Sequence, residues 1–255
     1  MPPPLLSIVV LTCNQRNFTV RLMASLSEYM TRHPGTELIL VDNGSSDGTI
    51  DAIRHMGCMW IEHITIIRNK RNLGVAAGRN IGLKTARGEF IMLLDNDTMV
   101  TATAIENLVK HMQLSPTTGL AAPALISMNG TLQDSAKPYP GILLKARHIL
   151  GFKQSESEKA AMDTCHPPYV IGACQIFRKE LLDSVGLLDE NIFYGPEDAD
   201  FCIRIMKHGL SIDYLKHISI THDWQRATSR KPLSTLALKH FFGLIYFYAK
   251  HRRIL

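Results

Sequence analysis

Short, continuous apolar runs alternate with segments of helical periodicity through the first half of the chain. Residues 5–11, 37–41, 63–67 and 90–94 are the apolar runs, and unbroken, β-branched-rich stretches of this length are what strands buried on both faces require. Between them, 18–30 (with Leu22, Leu26 and Tyr29 on one face), 49–56 and 75–86 carry helix-compatible spacing. Gly88, just beyond the third of these, is expected to cap it. Alternation at this interval predicts βαβ units and a mostly parallel sheet, which places ligands at the carboxyl ends of the strands. A helix over 101–114 and a strand over 120–126 follow. From 127 to 168 the pattern weakens, with Pro138, Pro140, Pro167, Pro168 and a polar run at 154–159, so loops shaping one substrate pocket are expected. Regularity returns at 169–177, then in a helix over 196–208 closed by Gly209, and in a C-terminal helix after Pro232. There is no internal repeat.

Composition narrows the class. At 255 residues and 45% hydrophobic, the chain can bury one large core. With 20% charged residues, 17 Gly and 12 Pro, it excludes disorder, collagen-like repeats and coiled coil. Cys13, Cys58, Cys165, Cys174 and Cys202 are odd in number and lack CxxC spacing, which argues against zinc clusters and disulfide frameworks and fits a reducing cytoplasm. The first apolar run is too short for a signal peptide and has no basic leader. No stretch approaches the roughly 18 to 20 apolar residues that span a bilayer, so a soluble or surface-bound protein is expected. Net charge is +5, but no acid follows Asp223, whereas Arg226, Arg230, Lys231, Lys239, Lys250, Arg252 and Arg253 do. Basicity therefore belongs to the tail, and a nucleic-acid-binding body is unsupported.

Unusual polar residues gather at the predicted strand ends: Thr12-Cys13-Asn14, Asp42 to Thr49, Asn72-Leu73-Gly74 leading to Arg79-Asn80, and Asp95-Asn96-Asp97. In a parallel sheet they line one crevice. A nucleotide needs a carboxylate for its base or ribose, glycines for close backbone approach and a cation for its diphosphate; Asp42 suits the first task and Gly74 the second. In extended backbone, residues i and i+2 share a side, so Asp95 and Asp97 can converge on one hard divalent cation or divide between metal and ribose. Glu197-Asp198 opens the 196–208 helix, where acids often just complement the dipole. The aromatic approach through Phe193-Tyr194 supplies a dry wall able to raise a carboxylate pKa into general-base range, while Asp200 is expected to stay structural. His222, after the apolar run 218–221, is a third metal ligand if that strand returns to Asp97.

Together, the segments 7–12, 41–47, 72–74, 94–97 and 195–204 resemble the family 2 glycosyltransferases, and the similarity is greatest to rhamnosyltransferase-like enzymes of bacterial polysaccharide assembly. Five motifs in order cover about residues 5–230. The resemblance implies a GT-A fold, a nucleotide-diphosphate-sugar donor (UDP- or dTDP-linked), Mn²⁺ or Mg²⁺, and inverting transfer to a hydroxyl of a glycan or lipid-linked acceptor. It implies that Thr12 and Asn14 edge base and ribose, that Asp42 contacts the base, and that Gly74, Arg79 and Asn96 lie in the donor site. Asp95 then faces ribose or metal, Asp97 ligates the metal, and His222 completes the metal and diphosphate site. Asp198 is the implied base and Glu197 positions the acceptor. Gly195-Pro196 departs from the bulkier residue of many relatives, so either acid is open as the base. A GT-A domain over 1–231 is expected, with a nucleotide-sugar half at about 1–115 and an acceptor half at about 116–231. A basic amphipathic helix over 232–255 is expected to rest on a membrane's inner face, on a second subunit or on its own domain. Arg226, Arg230 and Lys231 form either a loop closing over the diphosphate or a solvated linker. A haloacid-dehalogenase-like phosphatase also places Asp-x-Asp after a strand, but its pattern wants Thr or Val where Met99 stands. A nucleotide-sugar-binding protein with a decayed site would have lost one of these acids, and none is lost.

Overall fold

The computed structural model describes residues 3–57, 60, 64–138, 165–223 and 235–251. The predicted apolar runs form strands β1 (Leu6–Thr12), β2 (Glu37–Asp42), β3 (Thr65–Arg68) and β4 (Phe90–Asp95), joined by helices α1 (Arg16–Arg32), α2 (Thr49–Arg54) and α3 (Val75–Thr85). After β5 (Thr98–Met99) come α4 (Ala102–Leu114), β6 (Thr118–Ile126), β7 (Ala136–Lys137), β8 (Tyr169–Val170), β9 (Cys174–Arg178), α5 (Leu181–Val185), α6 (Glu197–Lys207), β10 (Ser211–His222) and α7 (Thr235–His251). The main sheet runs β3-β2-β1-β4-β9-β6-β10-β5. It is parallel from β3 to β4 and between β6 and β10; β9 lies antiparallel to both its neighbours, and β5 antiparallel to β10.

Strand alternation divides the core between the two faces. Ile8, Val10, Met92 and Leu94 pack beneath Leu22 and Leu26 of α1 and Ile105, Leu108 and Met112 of α4. Val9, Val41, Ile91, Leu93 and Phe177 face Leu83 of α3 and Phe201 and Ile205 of α6. Strands covered on both sides cannot alternate apolar with polar, which is why they read as unbroken runs. Thr101 caps α4 by accepting the Ala104 N–H at 3.2 Å.

One expectation is corrected. Gly88 is not the cap of α3, since Ala86 takes that position in extended conformation. Gly88 instead lies where a Cβ would come within 2.5 Å of the Ser7 nitrogen, and its N–H donates to Ser7 Oγ at 2.8 Å. The glycine therefore serves close packing against β1. The regular run 169–177 forms two strands. β8 pairs with β7 in a small separate ribbon, and β9 then enters the main sheet between β4 and β6. The link between them, Ile171 to Ala173, passes the crevice.

The weak stretch at 127–168 is described only at its ends, where β7 is its sole named strand; Pro140 and the run 154–159 lie outside the described residues, as do His63, Arg226, Arg230, Lys231, Arg252 and Arg253. Helix α7 docks on the body through buried Phe247 and through Gly243, which packs by Ile192 and Tyr194. His251 Nε2 lies 2.8 Å and Lys250 Nζ 2.6 Å from buried Asp200 at the start of α6, which also receives Arg204. Asp200 is thus a structural anchor, as expected. No helix among the described residues is long and apolar enough to cross a membrane.

Candidate active site

The parallel register brings Thr12 beside Asp42 and Leu11 beside Asp95, so the polar ends of β1, β2 and β4 meet at one edge. There they open on a cavity of about 540 Å³, whose walls also come from the β8–β9 link, the start of α6, the end of β10 and α7. This is the size and position of a small-molecule site in an open α/β sheet.

Asp95, Asp97 and His222 offer one ligand atom each, all within 4.8 Å of one another. Pairing explains the meeting: Thr98 of β5 is opposite His222 of β10, and the Asp223 N–H donates to the Asp97 carbonyl at 2.9 Å. The short strand after the acidic turn thus fetches the histidine across more than 120 residues, leaving its Nε2 at 3.4 Å from Asp97 Oδ1. The ring's other nitrogen, Nδ1, is 2.8 Å from Gln133 Oε1. Burial opposes a charged His222, but the Asp97 carboxylate overrides it and holds the pKa above its ordinary value. Burial raises Asp95, Arg79 counters and Asp97 adds to the rise. Asp95, Asp97, Glu197 and Asp198 line the cavity with only Arg79, His222 and His240 as bases among the described residues. That excess of acid around the cavity, with two oxygen donors and an imidazole converging, fits a divalent cation such as Mn²⁺ or Mg²⁺.

Arg79 lines the cavity and is held there by the protein's own groups. It is 3% exposed and donates to Asp95 and to the Gly172 carbonyl at 2.8 Å, with Glu197 at 3.9 Å. Its charge is already committed to the protein's own acids. Gly172 is required by this contact, because a Cβ there would stand 2.6 Å from the guanidinium.

Asp198 and Glu197, adjacent at the start of α6, face different surroundings. Asp198 is half-buried and accepts the Gly172 N–H at 3.1 Å and the Ala199 N–H at 2.7 Å. Glu197 is 6% exposed, accepts the Gly195 N–H at 2.8 Å and lies toward Arg79. The Glu197 carboxylate is thus engaged by the protein's own groups, and it lines the same cavity as Asp198. Burial pushes both pKa values up; Asp198 adds to the rise at Glu197, and backbone N–H donors and Arg79 restrain Asp198. Gly195, the departure noted in the sequence, has φ +127°, and His240 of α7 occupies the space a Cβ would need, 2.0 Å from it. A bulkier residue there and this docking of α7 exclude each other.

The donor-side residues divide. Gly74, at φ +93°, starts α3 where a Cβ would meet the Phe193 carbonyl at 2.6 Å, and the Val75 N–H donates to that same oxygen at 2.7 Å. The Thr12 hydroxyl is buried against Thr19 at 2.8 Å, and the Asn96 amide donates to both hydroxyls. Asn96 thus braces the acidic turn through its amide nitrogen while also lining the cavity. Asp42 is buried, receives Arg68 at 3.2 Å and the Ser45 N–H at 2.9 Å, and is not among the cavity-lining residues. Asn14 is exposed at φ 52°, where its Oδ1 accepts the Ser46 N–H at 2.8 Å. It too stays outside the cavity lining. Sequence reasoning passed over Asn43, whose amide reaches Asn72 and the Gly74 carbonyl while its oxygen receives Asn69 and the Leu73 N–H. It also passed over Gly172, His240 and Gln133. Asn43 sits inside a quoted motif; the other three carry no local pattern.

The sequence profile of Glycosyl transferase family 2 matches residues 7–186, more than half of the chain, and the chain belongs to that family. The N-acetylglucosaminyl-diphospho-decaprenol L-rhamnosyltransferase of Mycobacterium tuberculosis is 25% identical over 269 residues, covering 96% of this chain and 85% of that protein. The dTDP-rhamnosyl transferase RfbF of Shigella flexneri is 24% identical over 192 residues, 72% of this chain and 59% of its own. In fold, the mannosyltransferase PcManGT from Pyrobaculum calidifontis, in complex with GDP-Man and Mn²⁺, superposes with a TM-score of 0.68 at 19% identity, over 98% of this chain and 65% of that one. The protein is a glycosyltransferase of GT-A fold, and the resemblance read in its motifs is borne out.

Proposed function

We propose that this glycosyltransferase moves a sugar, with inversion, from a UDP- or dTDP-linked donor to a hydroxyl of a lipid-linked or glycan acceptor in polysaccharide assembly. The observation that carries the reading is one cavity lined both by the Asp95, Asp97 and His222 cluster and by Asp198. Rhamnosyltransferase relatives, one of them named for a diphospho-decaprenol substrate, support the donor and acceptor classes. Asp97, His222 and Asp95 would hold Mn²⁺ or Mg²⁺, and such a cation neutralises charge on a departing diphosphate. Asp198, the acid nearer the open cavity, takes the acceptor proton as general base. Arg79 keeps Asp95 and Glu197 compensated, and the apolar wall of Phe193, Tyr194 and Ile171 excludes water. On this reading about 1–115 is the donor half and about 116–231 the acceptor half, with His222 crossing from the second to the metal cluster of the first.

The test is a thermal-shift panel of UDP-, dTDP- and GDP-sugars with and without Mn²⁺. A donor at a hundred times its Kd stabilises by about 2.7 kcal/mol, which raises Tm by roughly 5 to 11 °C in a domain of this size. The shift is expected with UDP- or dTDP-sugars and to depend on metal. No shift with any donor would sink the reading. The anomeric configuration of the product, read by NMR, checks inversion.

The outward face of α7 supports contact with an anionic membrane surface. Leu238, Phe241, Phe242 and Ile245 are exposed along one stripe, opposite the face that carries Phe247 into the body and His240 into the cavity wall. No acidic residue lies in the helix, and Lys239 sits within it. This arrangement would hold the cavity mouth near a lipid-linked acceptor. Co-sedimentation with phosphatidylglycerol vesicles is expected to exceed that with neutral ones, and to fall in a Phe241→Ser, Phe242→Ser variant. Equal pelleting with both vesicle types, or self-association through this face, would overturn it.

A further inference from the structure

We propose that Gln133 is a positioning residue for the metal site, holding His222 in the one tautomer that can ligate a cation; this rests on the metal reading above. The argument is one of donors and acceptors. Gln133 is nearly buried, and its own N–H is tied to the Leu125 carbonyl at 2.8 Å, which fixes it beside β6. Its side chain meets His222 twice. Gln133 Nε2 is 2.6 Å from the His222 backbone carbonyl, and Gln133 Oε1 is 2.8 Å from His222 Nδ1. A carbonyl oxygen can only accept, so the amide NH₂ must face it. The amide oxygen is thereby turned to the ring, and Nδ1 must carry the proton. In the neutral imidazole this leaves the lone pair on Nε2, the atom directed at Asp97. The amide thus sets both the ring's orientation and its tautomer. Partners of this kind, behind a ligating histidine, commonly change metal affinity by about 10- to 100-fold when removed.

Two substitutions separate this role from simple tethering of the strand. Gln133→Leu loses both contacts, so free-Mn²⁺ electron paramagnetic resonance titrations should show binding weakened by about 10- to 100-fold. Gln133→Glu keeps an acceptor for Nδ1–H and loses the donor to the carbonyl, so Mn²⁺ binding should stay within a few-fold of the native protein. Long-range ¹H–¹⁵N spectra of the metal-free protein, at alkaline pH where the ring is neutral, should show the proton of His222 on Nδ1 in the native and Gln133→Glu proteins. Equal loss of Mn²⁺ in both variants would make Gln133 only a strand tether and overturn the proposal. So would unchanged binding in Gln133→Leu, or a native His222 carrying its proton on Nε2. If Gln133→Leu does not fold, the native tautomer and the Gln133→Glu titration still decide. Native protein that takes up no Mn²⁺ would instead remove the metal site itself, and this inference with it.

Discussion

Asp198→Asn is expected to lower turnover by about 10² to 10⁴-fold, the usual span for losing a general base, while donor affinity changes little. The substitution keeps size and removes only the ability to take a proton. Its oxygen can still accept one of the two backbone N–H groups, from Gly172 and Ala199, that hold the native carboxylate. The amide nitrogen then faces the other, so a modest fall in Tm accompanies the kinetic loss and is measured separately. The pH profile supplies an independent readout. Burial, partly offset by the Ala199 N–H and Arg79, raises Asp198 to about 6. A base works only when ionised, so the native rate should fall as pH drops through that value, well above the ordinary aspartate value of about 3.9. The variant should lose this limb. Glu197→Gln keeps an acceptor for the Gly195 N–H but leaves Arg79 with one fewer counter-charge; it should retain the limb. Donor titration and transfer rate of Asp198→Asn decide the matter together. Equal losses in both would put Asp198 in the donor site, and an unimpaired rate would return it to complementing the α6 dipole.

What the sequence disclosed and what it hid divide by the range of the interaction. β1, β2 and β4 were legible because a strand covered on both faces must be apolar without interruption, and their polar ends stood out against that background. The acidic turn was legible for the same reason. Whether His222 joins it depends on Thr98 pairing with His222, a contact that spacing cannot show. Gly88 was misread because a glycine after a helix serves equally as a cap or as a place where two backbones touch, and only the position of Ser7 distinguishes them. Arg79 and Asn96 lie in motifs that mark the site, yet the motif does not say which way a side chain turns; both turn to protein partners. Gln133 belongs to a stretch with no periodicity, so its position beside His222 had no signal at all. Gly195 shows the converse. It stands out in the sequence just ahead of the acidic pair, and in the fold His240, which comes from α7, occupies the volume a side chain there would need.

Asp97→Asn is expected to remove metal-dependent donor binding and to lower turnover by 10²-fold or more. A cation acting on a departing diphosphate supplies several kcal/mol, and each 1.36 kcal/mol is about tenfold in rate. The variant deletes one formal charge from a hard-cation site at nearly constant volume. The backbone of residue 97 still receives the Asp223 N–H, so the β5–β10 junction that brings His222 into place is not cut. His222→Ala should cost less, because water can fill the vacated position while both carboxylates stay. The metal-free protein gives the control that a general structural defect could not imitate. Asp95 and Asp97 repel each other there, and Asp97 contributes to the raised pKa of Asp95. Removing one charge relieves that repulsion, so at alkaline pH, where His222 is neutral and no ion pair with Asp97 is lost, the Tm of Asp97→Asn without metal should equal or exceed that of the native protein, whereas the Tm gain from Mn²⁺ with a UDP- or dTDP-sugar should vanish. A variant that was unstable without metal would show that Asp97 serves the fold. One that kept the Mn²⁺-dependent gain and full transfer would show that the cation, if used, is held elsewhere.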